Sequence, residues 1–439
     1  MKTIKLGEPR IVAQDTEQPV LFGGYQDPTI RRGEDGTLYV RFNARRDSWL
    51  TFGEEEKNPV YKSIDGGDTW ERCQNAQEEW LRAGTRLPNG DIFYFREYAV
   101  LRKETLPQLP PLPIERKLRT AGMWVYTVKE LEPILGERVA KEFKAYRIKA
   151  GTNEVIEETC PVIWENMPVV LHYDGFLIRV FPHVSLSMKV DGEGTLWMPM
   201  DAPAVDDDGN LMSHRRCTAI LRSKDMGHTW EYVSHILYKE AFNPPTAIDV
   251  EGFMECSLEF VKDGSCIALL RSGSLSPFQI GDDEHPAPIM MKTRSFDGCK
   301  TWETPEYFYD YGVLPVSRML EDGTVLMSSG RPGVYLRVSQ DDCAKEWSDP
   351  VPVVEVPRED FYGKYYEYSC CNTGLAVTGP NTAVIAYSDF TLNAPDGKRA
   401  KSIMVRKITV EEYNDACRKE VMKYTAEWVN MTERVGYWV

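Results

Sequence analysis

An eight-residue stretch recurs along the chain and restricts its fold more than any other feature. It reads Ser63-Ile64-Asp65-Gly66-Gly67-Asp68-Thr69-Trp70, then Ser223-Lys224-Asp225-Met226-Gly227-His228-Thr229-Trp230, then Ser295-Phe296-Asp297-Gly298-Cys299-Lys300-Thr301-Trp302. A degraded copy runs from Ser339 through Asp341 to Trp347. Each copy has the chemistry of a tight hairpin. The Asp carboxylate accepts backbone N–H bonds from the residues after it, Gly takes the positive φ, and Thr and Trp lead into a strand. The indole lies over the turn as an apolar plug. Repetition of the unit makes this an internal-repeat protein.

A second series of turns keeps step with the first. Asp35-Gly36-Thr37, Glu193-Gly194-Thr195, Asp263-Gly264-Ser265 and Asp322-Gly323-Thr324 each precede an apolar or β-branched run, and looser members begin at Asn89-Gly90 and Gly379-Pro380. A turn dipeptide before such a run is a hairpin signal. Two hairpins in fixed order make a four-stranded antiparallel unit. Six turns predict an all-β, six-bladed β-propeller of such units spanning residues 1–408. One of the short strand-like runs before Tyr25 is expected to join the last blade, because an open sheet edge would otherwise be exposed.

The length of 439 residues suits a propeller as one domain, and 42% hydrophobic content excludes a disordered chain. A formal charge of −15 argues against nucleic acid and anionic membranes as partners. The ten cysteines show no zinc-like pairing and read as buried free thiols of a reducing compartment. With no apolar leader after Met1, the sequence as written reads as cytoplasmic; a removed signal would make it periplasmic or secreted. Asp206-Asp207-Asp208-Gly209-Asn210 is calcium-like in composition but lacks a spaced bidentate Glu, and reads as a solvated turn. No metal or cofactor site is expected.

Blade two is expected to start near Trp80 and to carry an insertion over about residues 103–165. The insertion opens with a stiff run containing Pro107, Pro110, Pro111 and Pro113, and Thr127 with Glu130 forms a candidate helix capping box. It either lids the axis or packs on the rim. Thr409-Val410-Glu411-Glu412 reads as a second capping box, opening a C-terminal helical extension over 409–439.

In a propeller the innermost strands converge on the axis. The residues some nine to eleven positions ahead of the turns are Gln26, Asp27, His183 and Glu255, a polar set unsuited to a core. Arg271 and Arg331 end the strands that follow two of the turns, and the last blade opens with Tyr365-Tyr366-Glu367-Tyr368-Ser369. An arginine closing the apolar run 267–270 needs an anion or a carboxylate partner, so Arg271 either meets a substrate or pairs with Glu255 or Asp27. His183 serves equally as an acid/base or as a hydrogen-bonded structural histidine.

The Ser-x-Asp-x-Gly-x-Thr-Trp boxes resemble the Asp-box (BNR) repeats of the sialidase (neuraminidase) superfamily. The tract from Glu255 through Asp263-Gly264 to Arg271, and Tyr368-Ser369-Cys370-Cys371 running to Ala386-Tyr387, resemble that superfamily too. The resemblance covers most of blades one and three to six. In that family the boxes are structural, and the site clamps a substrate carboxylate with three arginines. It also holds a Tyr nucleophile beside a Glu, and an Asp acid/base. The resemblance assigns Arg271 and Arg331 to two clamp positions, Tyr368 and Glu255 to the nucleophile pair, and Asp47 to the acid/base, with Glu54, Glu55 and Glu56 as rivals. A carboxylate beside a phenol can take its proton during attack, and Tyr nucleophiles are the recognised exception to the two-carboxylate rule.

Two departures stand out. The first clamp arginine is replaced by Gln26 and followed by Asp27, with Arg31 or Arg32 as possible compensation, and Asp47 sits closer to Arg45 than the family pattern places its acid. The resemblance implies a sialidase-like glycoside hydrolase, without cofactor, releasing a terminal acidic sugar from a carbohydrate substrate. Two other readings fit the same residues: a polysaccharide lyase on uronate-containing glycans, with Tyr368 or His183 as base and Arg271 neutralising the carboxylate, and a non-catalytic glycan-binding propeller.

Overall fold

The computed structural model describes residues 1–17, 24–45, 58–96, 100–101, 103–119, 122–139, 142–152, 154–171, 177–179, 188–239, 251–272, 278–280, 283–285, 289–361 and 364–412. Strands dominate, arranged as successive four-stranded antiparallel units. Unit one begins with Gln26–Arg32 and unit two with Thr85–Arg86. Units three, four and five begin with Lys189–Val190, Met254–Phe260 and Val313–Met319. Unit six begins with Thr373–Gly379, and its long third strand Lys401–Glu412 pairs with Lys2–Leu6 and with Arg10–Asp15. The expected recruitment of an N-terminal strand to the last unit is thus seen twice over.

Alternating side chains face the neighbouring unit on either side, as the period of a strand requires. The resulting apolar clusters lie between consecutive units. Tyr39 and Val60 of unit one meet Tyr94 and Ile148 of unit two, for example. At the other end of the chain, Val384, Ala386 and Val405 of unit six meet Ile30, Leu38 and Phe42 of unit one. Units two and three share an edge as well: Val162 and Ile163 pair in parallel with Trp230 and Glu231.

The eight-residue turns form as their chemistry dictates. Asp65 accepts from Ser63 Oγ at 2.7 Å, from the backbone N–H groups of Asp68 and Thr69 at 3.0 Å, and from Thr69 Oγ1 at 2.6 Å. Asp297 repeats the set with Ser295, Lys300 and Thr301. Trp70 and Trp230 each donate their indole N–H back to the turn, to the carbonyls of Gly67 and Gly227. Four of the positive-φ turn positions are Gly66, Gly67, Gly227 and Gly298, while Met226 and Cys299 take the same region without being glycine.

The bonds from Thr301, first its hydroxyl and then its amide, push the Asp297 carboxyl down to about 2, and Thr69 depresses Asp65 in the same way. A carboxyl depressed in the folded state adds stability above its unfolded value near ~3.9 and loses it as the folded group is protonated. The melting temperature should therefore fall between about pH 4 and pH 2. Replacing Asp65 and Asp297 by Asn together should flatten that slope in a thermal melt series across this range; an unchanged slope would show that these turns do not contribute.

Three sequence expectations are revised. Trp80 lies on the short helix Ala76–Arg82 rather than on the first strand of unit two. The stretch 103–165 is not one insertion, because Glu142–Ile148 and Val155–Ile163 are the third and fourth strands of unit two. The added part is a separate sheet of Val100–Leu101, Trp124–Thr127, Pro168–Leu171 and Leu177–Arg179, drawn from two excursions of the chain. Helix Val128–Leu135 follows its second strand, and the Thr127/Glu130 capping box forms with both reciprocal bonds. Leu131 and Leu135 of this helix share an apolar cluster with Phe95 and Phe143 of unit two and with Met198 and Trp230 of unit three, so the described part of the addition sits against both units. Finally, Thr409–Glu412 continues a strand rather than opening a helix, paired with Lys2–Leu6 on one side, while the Val410 N–H donates to the Asn381 carbonyl on the other; the rest of the expected C-terminal helix lies outside the described residues.

Nine cysteines fall within the described residues; all are free and all but Cys343 are buried.

Candidate functional site

The leading ends of the first strands share an irregularity. In units one, four and five the pairing to the second strand slips between Gln26 and Thr29, between Met254 and Ser257, and between Val313 and Val316. Inside each bulge one residue other than glycine takes a left-handed conformation: Asp27 at φ 53°, Glu255 at 49° and Leu314 at 44°. Cys371 does the same at 71°, just ahead of the first strand of unit six. Such backbone is costly for a side chain with a Cβ, and bulges re-aim side chains next to functional sites. The repeat therefore turns one side chain out of each strand at the same level.

Glu255 is the best braced of these. Its Oε1 accepts from Arg271 Nη1 at 2.6 Å and its Oε2 from the Leu314 backbone N–H at 2.7 Å. The Glu255 N–H donates to Asp201 Oδ1 at 2.9 Å, so the bulge amides of units four and five are each met by a carboxylate from the unit before. Arg271 also reaches Glu251 Oε2 at 3.3 Å. Burial works against the Arg271 charge, but Glu255 and then Glu251 more than offset it and hold its pKa above the ordinary arginine value. The sequence left Arg271 a choice between a substrate and a carboxylate; it pairs with two carboxylates.

On the other flank, Asn372 donates its amide to Asp27, linking units six and one. Gln26 is fully buried, and neither its amide nitrogen nor its amide oxygen has a hydrogen-bond partner. A buried amide without partners costs about 1–3 kcal/mol, so it marks a place where a polar ligand or water would be held. Arg331 lies with its guanidinium 5.6 Å from the Tyr365 ring centroid. The chain there passes so close to unit six that a Cβ on Gly330 would sit 2.1 Å from the Cys371 carbonyl oxygen.

Tyr368 does not engage Glu255. Its hydroxyl donates to Asp360 Oδ2 at 2.5 Å, and this bond raises the phenol pKa while holding the Asp360 carboxyl below the usual carboxylate range, with Lys364 assisting. The carboxylate against the phenol is Asp360 and not the expected Glu255. Asp47, its rivals Glu54, Glu55 and Glu56, and His183 lie outside the described residues.

Asp201, Glu251 and Asp360 escaped the sequence reading. Asp201 was detectable, since it stands seven residues after the turn Gly194, the spacing that separates Arg271 from Gly264. Asp360 belongs to a short 3-10 turn, Arg358–Asp360, ahead of the tyrosine cluster and has no repeat signature. Asp341, Asp342 and Cys343 bring three ligand atoms together, but Asp341 accepts backbone bonds and Asp342 pairs with Lys262, the pattern of a degraded turn. Asp206 likewise accepts from the amides of Asp208 and Asn210, as a solvated turn does.

No protein-family profile matches the chain. Among solved structures, a protein of unknown function from Dyadobacter fermentans is 18% identical, with 93% of this chain and 99% of that one covered at a TM-score of 0.55. An alpha-L-arabinanase from Penicillium chrysogenum, complexed with arabinobiose, is 12% identical over 91% and 98% of the two chains, at 0.48. A Hadza microbial sialidase is 15% identical over 87% and 65%, at 0.46. The first likeness establishes a shared fold; at these identities none carries an activity across. A short sequence match of a different kind is to the isoleucine–tRNA ligase of Bacteroides thetaiotaomicron, 62% identical over 34 residues. It takes in 8% of this chain, which spans about 3% of the length of that relative.

Proposed function

We propose that the six units close into a propeller through the N-terminal strands, and that the chain is a sialidase-like glycoside hydrolase cleaving a terminal sugar at the leading ends of the first strands. The observation that carries this is the repeated bulge, which spends backbone strain in several units to turn Asp27 and Glu255 out at one level. The apolar contact between units six and one supports ring closure.

In this reading Tyr368 is the nucleophile and Asp360 takes its proton. Glu255 braces the site through Arg271 and stabilises developing positive charge on the sugar ring. Asp47 remains the proposed acid for the leaving group. The sugar itself is neutral rather than acidic. Arg271 already faces two carboxylates, Gln26 carries no charge, and Asp27 would repel an anion. The Gln26 amide offers a donor and an acceptor, the pair that adjacent hydroxyl groups require.

A panel of aryl glycosides of neutral and acidic sugars tests this. Turnover of a neutral glycoside, lost in Glu255→Gln, is the expected result. An unsaturated product absorbing in the ultraviolet would instead establish a lyase, and sugar binding without turnover across the panel a binding protein.

A further inference from the structure

Unit one turns a pair of arginines toward unit two. Directly opposed residues of neighbouring strands share a face, and Arg31 stands opposite Tyr39 while Thr29 stands opposite Arg41. Tyr39 shares an apolar cluster with Trp80 and Tyr94, so this is the face that meets unit two. There both guanidinium groups meet one indole. Arg31 lies 4.4 Å and Arg41 5.0 Å from the Trp80 ring centroid, and the Tyr94 centroid lies 4.9 Å from Arg31.

Donors gather here without an acceptor. Arg31 Nη1 and Trp80 Nε1 are buried, and neither has a hydrogen-bond partner. Among the described residues no carboxylate pairs with Arg31 or Arg41. The acids on adjoining segments are committed elsewhere: Glu79 to Lys62 at 3.1 Å, Glu78 to Arg82 at 2.8 Å and Glu34 to Arg86 at 2.9 Å. That is notable in a chain with 67 acidic residues against 52 basic ones, where a partner for an arginine is easily supplied.

An aromatic face attracts a guanidinium through its quadrupole and leaves the in-plane N–H fork open. Two cations on one ring also repel each other. Burial brings the Arg31 pKa down to about 10 despite Tyr94, and the Arg41 charge adds to the fall. Both arginines are half-buried, so a small solute can reach them from the cleft between the units. An oxyanion supplies what is missing: several acceptor lone pairs for the guanidinium and indole N–H groups, and a charge opposite to the two already there.

We propose that Arg31, Arg41 and the Trp80 indole N–H bind a small inorganic oxyanion between units one and two. Arg41 is two residues from Asn43, the partner of Gln26, which sets this site about 7 Å along the strand from the sugar level. It stands whether or not the chain is a glycosidase.

The test uses the full chain with sulfate and phosphate as probes. Sulfate strengthens apolar burial in any protein, so the readout is the difference between the unaltered chain and its variants. Millimolar sulfate or phosphate should raise the melting temperature of the unaltered chain along a saturating curve. Arg31→Met and Arg41→Met should each move the midpoint of that curve to higher concentration by roughly tenfold or more, the loss of a charge-assisted hydrogen bond. Should a variant fail to fold, crystals of the unaltered protein in selenate, a sulfate analogue with an anomalous signal, decide the matter. The anomalous peak is expected within hydrogen-bond reach of Arg31, Arg41 and Trp80 Nε1. A rise without saturation that both variants share would be the general salt effect; that result, or selenate crystals without the peak, would overturn the proposal.

Discussion

Arg271→Met should cost about 3–5 kcal/mol in urea denaturation, the range found when one partner of a buried ion pair is removed. Arg271 and Glu255 are each 13% exposed, and Glu251 is 23% exposed, so the abandoned carboxylates have little water to turn to. Asp201 lies against the same cluster through the Glu255 amide. The variant would leave three acidic groups around a missing cation, and their mutual repulsion adds to the desolvation already incurred. Two further variants separate this from a simple loss of packing. Arg271→Lys keeps the charge but not the fork, and should recover part of the loss. Arg271→Met combined with Glu255→Gln should be less damaging than the sum of the two single changes by at least ~1 kcal/mol, because the orphaned charge disappears with its partner. A loss below ~1 kcal/mol for Arg271→Met would mean that the cluster is solvated and does not hold the leading ends together.

The features that sequence reading recovered are local ones. The Asp65, Asp225 and Asp297 turns are specified by residues within eight positions of one another, and the hydrogen bonds at Asp65 follow from Ser, Asp, Gly and Thr standing at fixed spacing. The Thr127/Glu130 capping box is equally local, and it formed. The same signal at Thr409 and Glu412 was overridden by pairing with Lys2–Leu6, a partner some four hundred residues away that no local pattern reveals. The strands Glu142–Ile148 and Val155–Ile163 were absorbed into an insertion for a related reason: no turn of either repeated kind marks them, and the added sheet interrupts their unit. At the candidate site, the repeat register puts Asp27 and Glu255 at equivalent positions, and both lie in bulges of their first strands. It could not tell which side chains would touch. Glu255 meets Arg271 rather than Tyr368 because its bulged backbone directs it toward units four and five, whereas Tyr368 caps a 3-10 turn, Tyr365–Glu367, that faces Asp360.

On any aryl glycoside that the unaltered protein turns over, Tyr368→Phe should lower kcat by roughly 10³-fold or more, and Asp360→Asn by about 10²–10⁴-fold, the range for loss of a positioned general base. Neither change should raise KM much, since the phenol and its partner act on the transition state rather than on the bound ground state. The pH profile gives an independent readout. Asp360 accepts a proton only while ionised, and the Tyr368 and Lys364 contacts hold its carboxyl below the usual range. Activity that depends on it is present above about pH 4 and falls as the pH drops through that depressed value. In Asp360→Asn the residual activity should lose this acid limb. If Tyr368→Phe were fully active while Asp360→Asn were dead, the carboxylate itself would be the reacting group and the phenol only its hydrogen-bond donor. If both kept full turnover, the reaction would belong to another part of the molecule and the pair would be a surface contact.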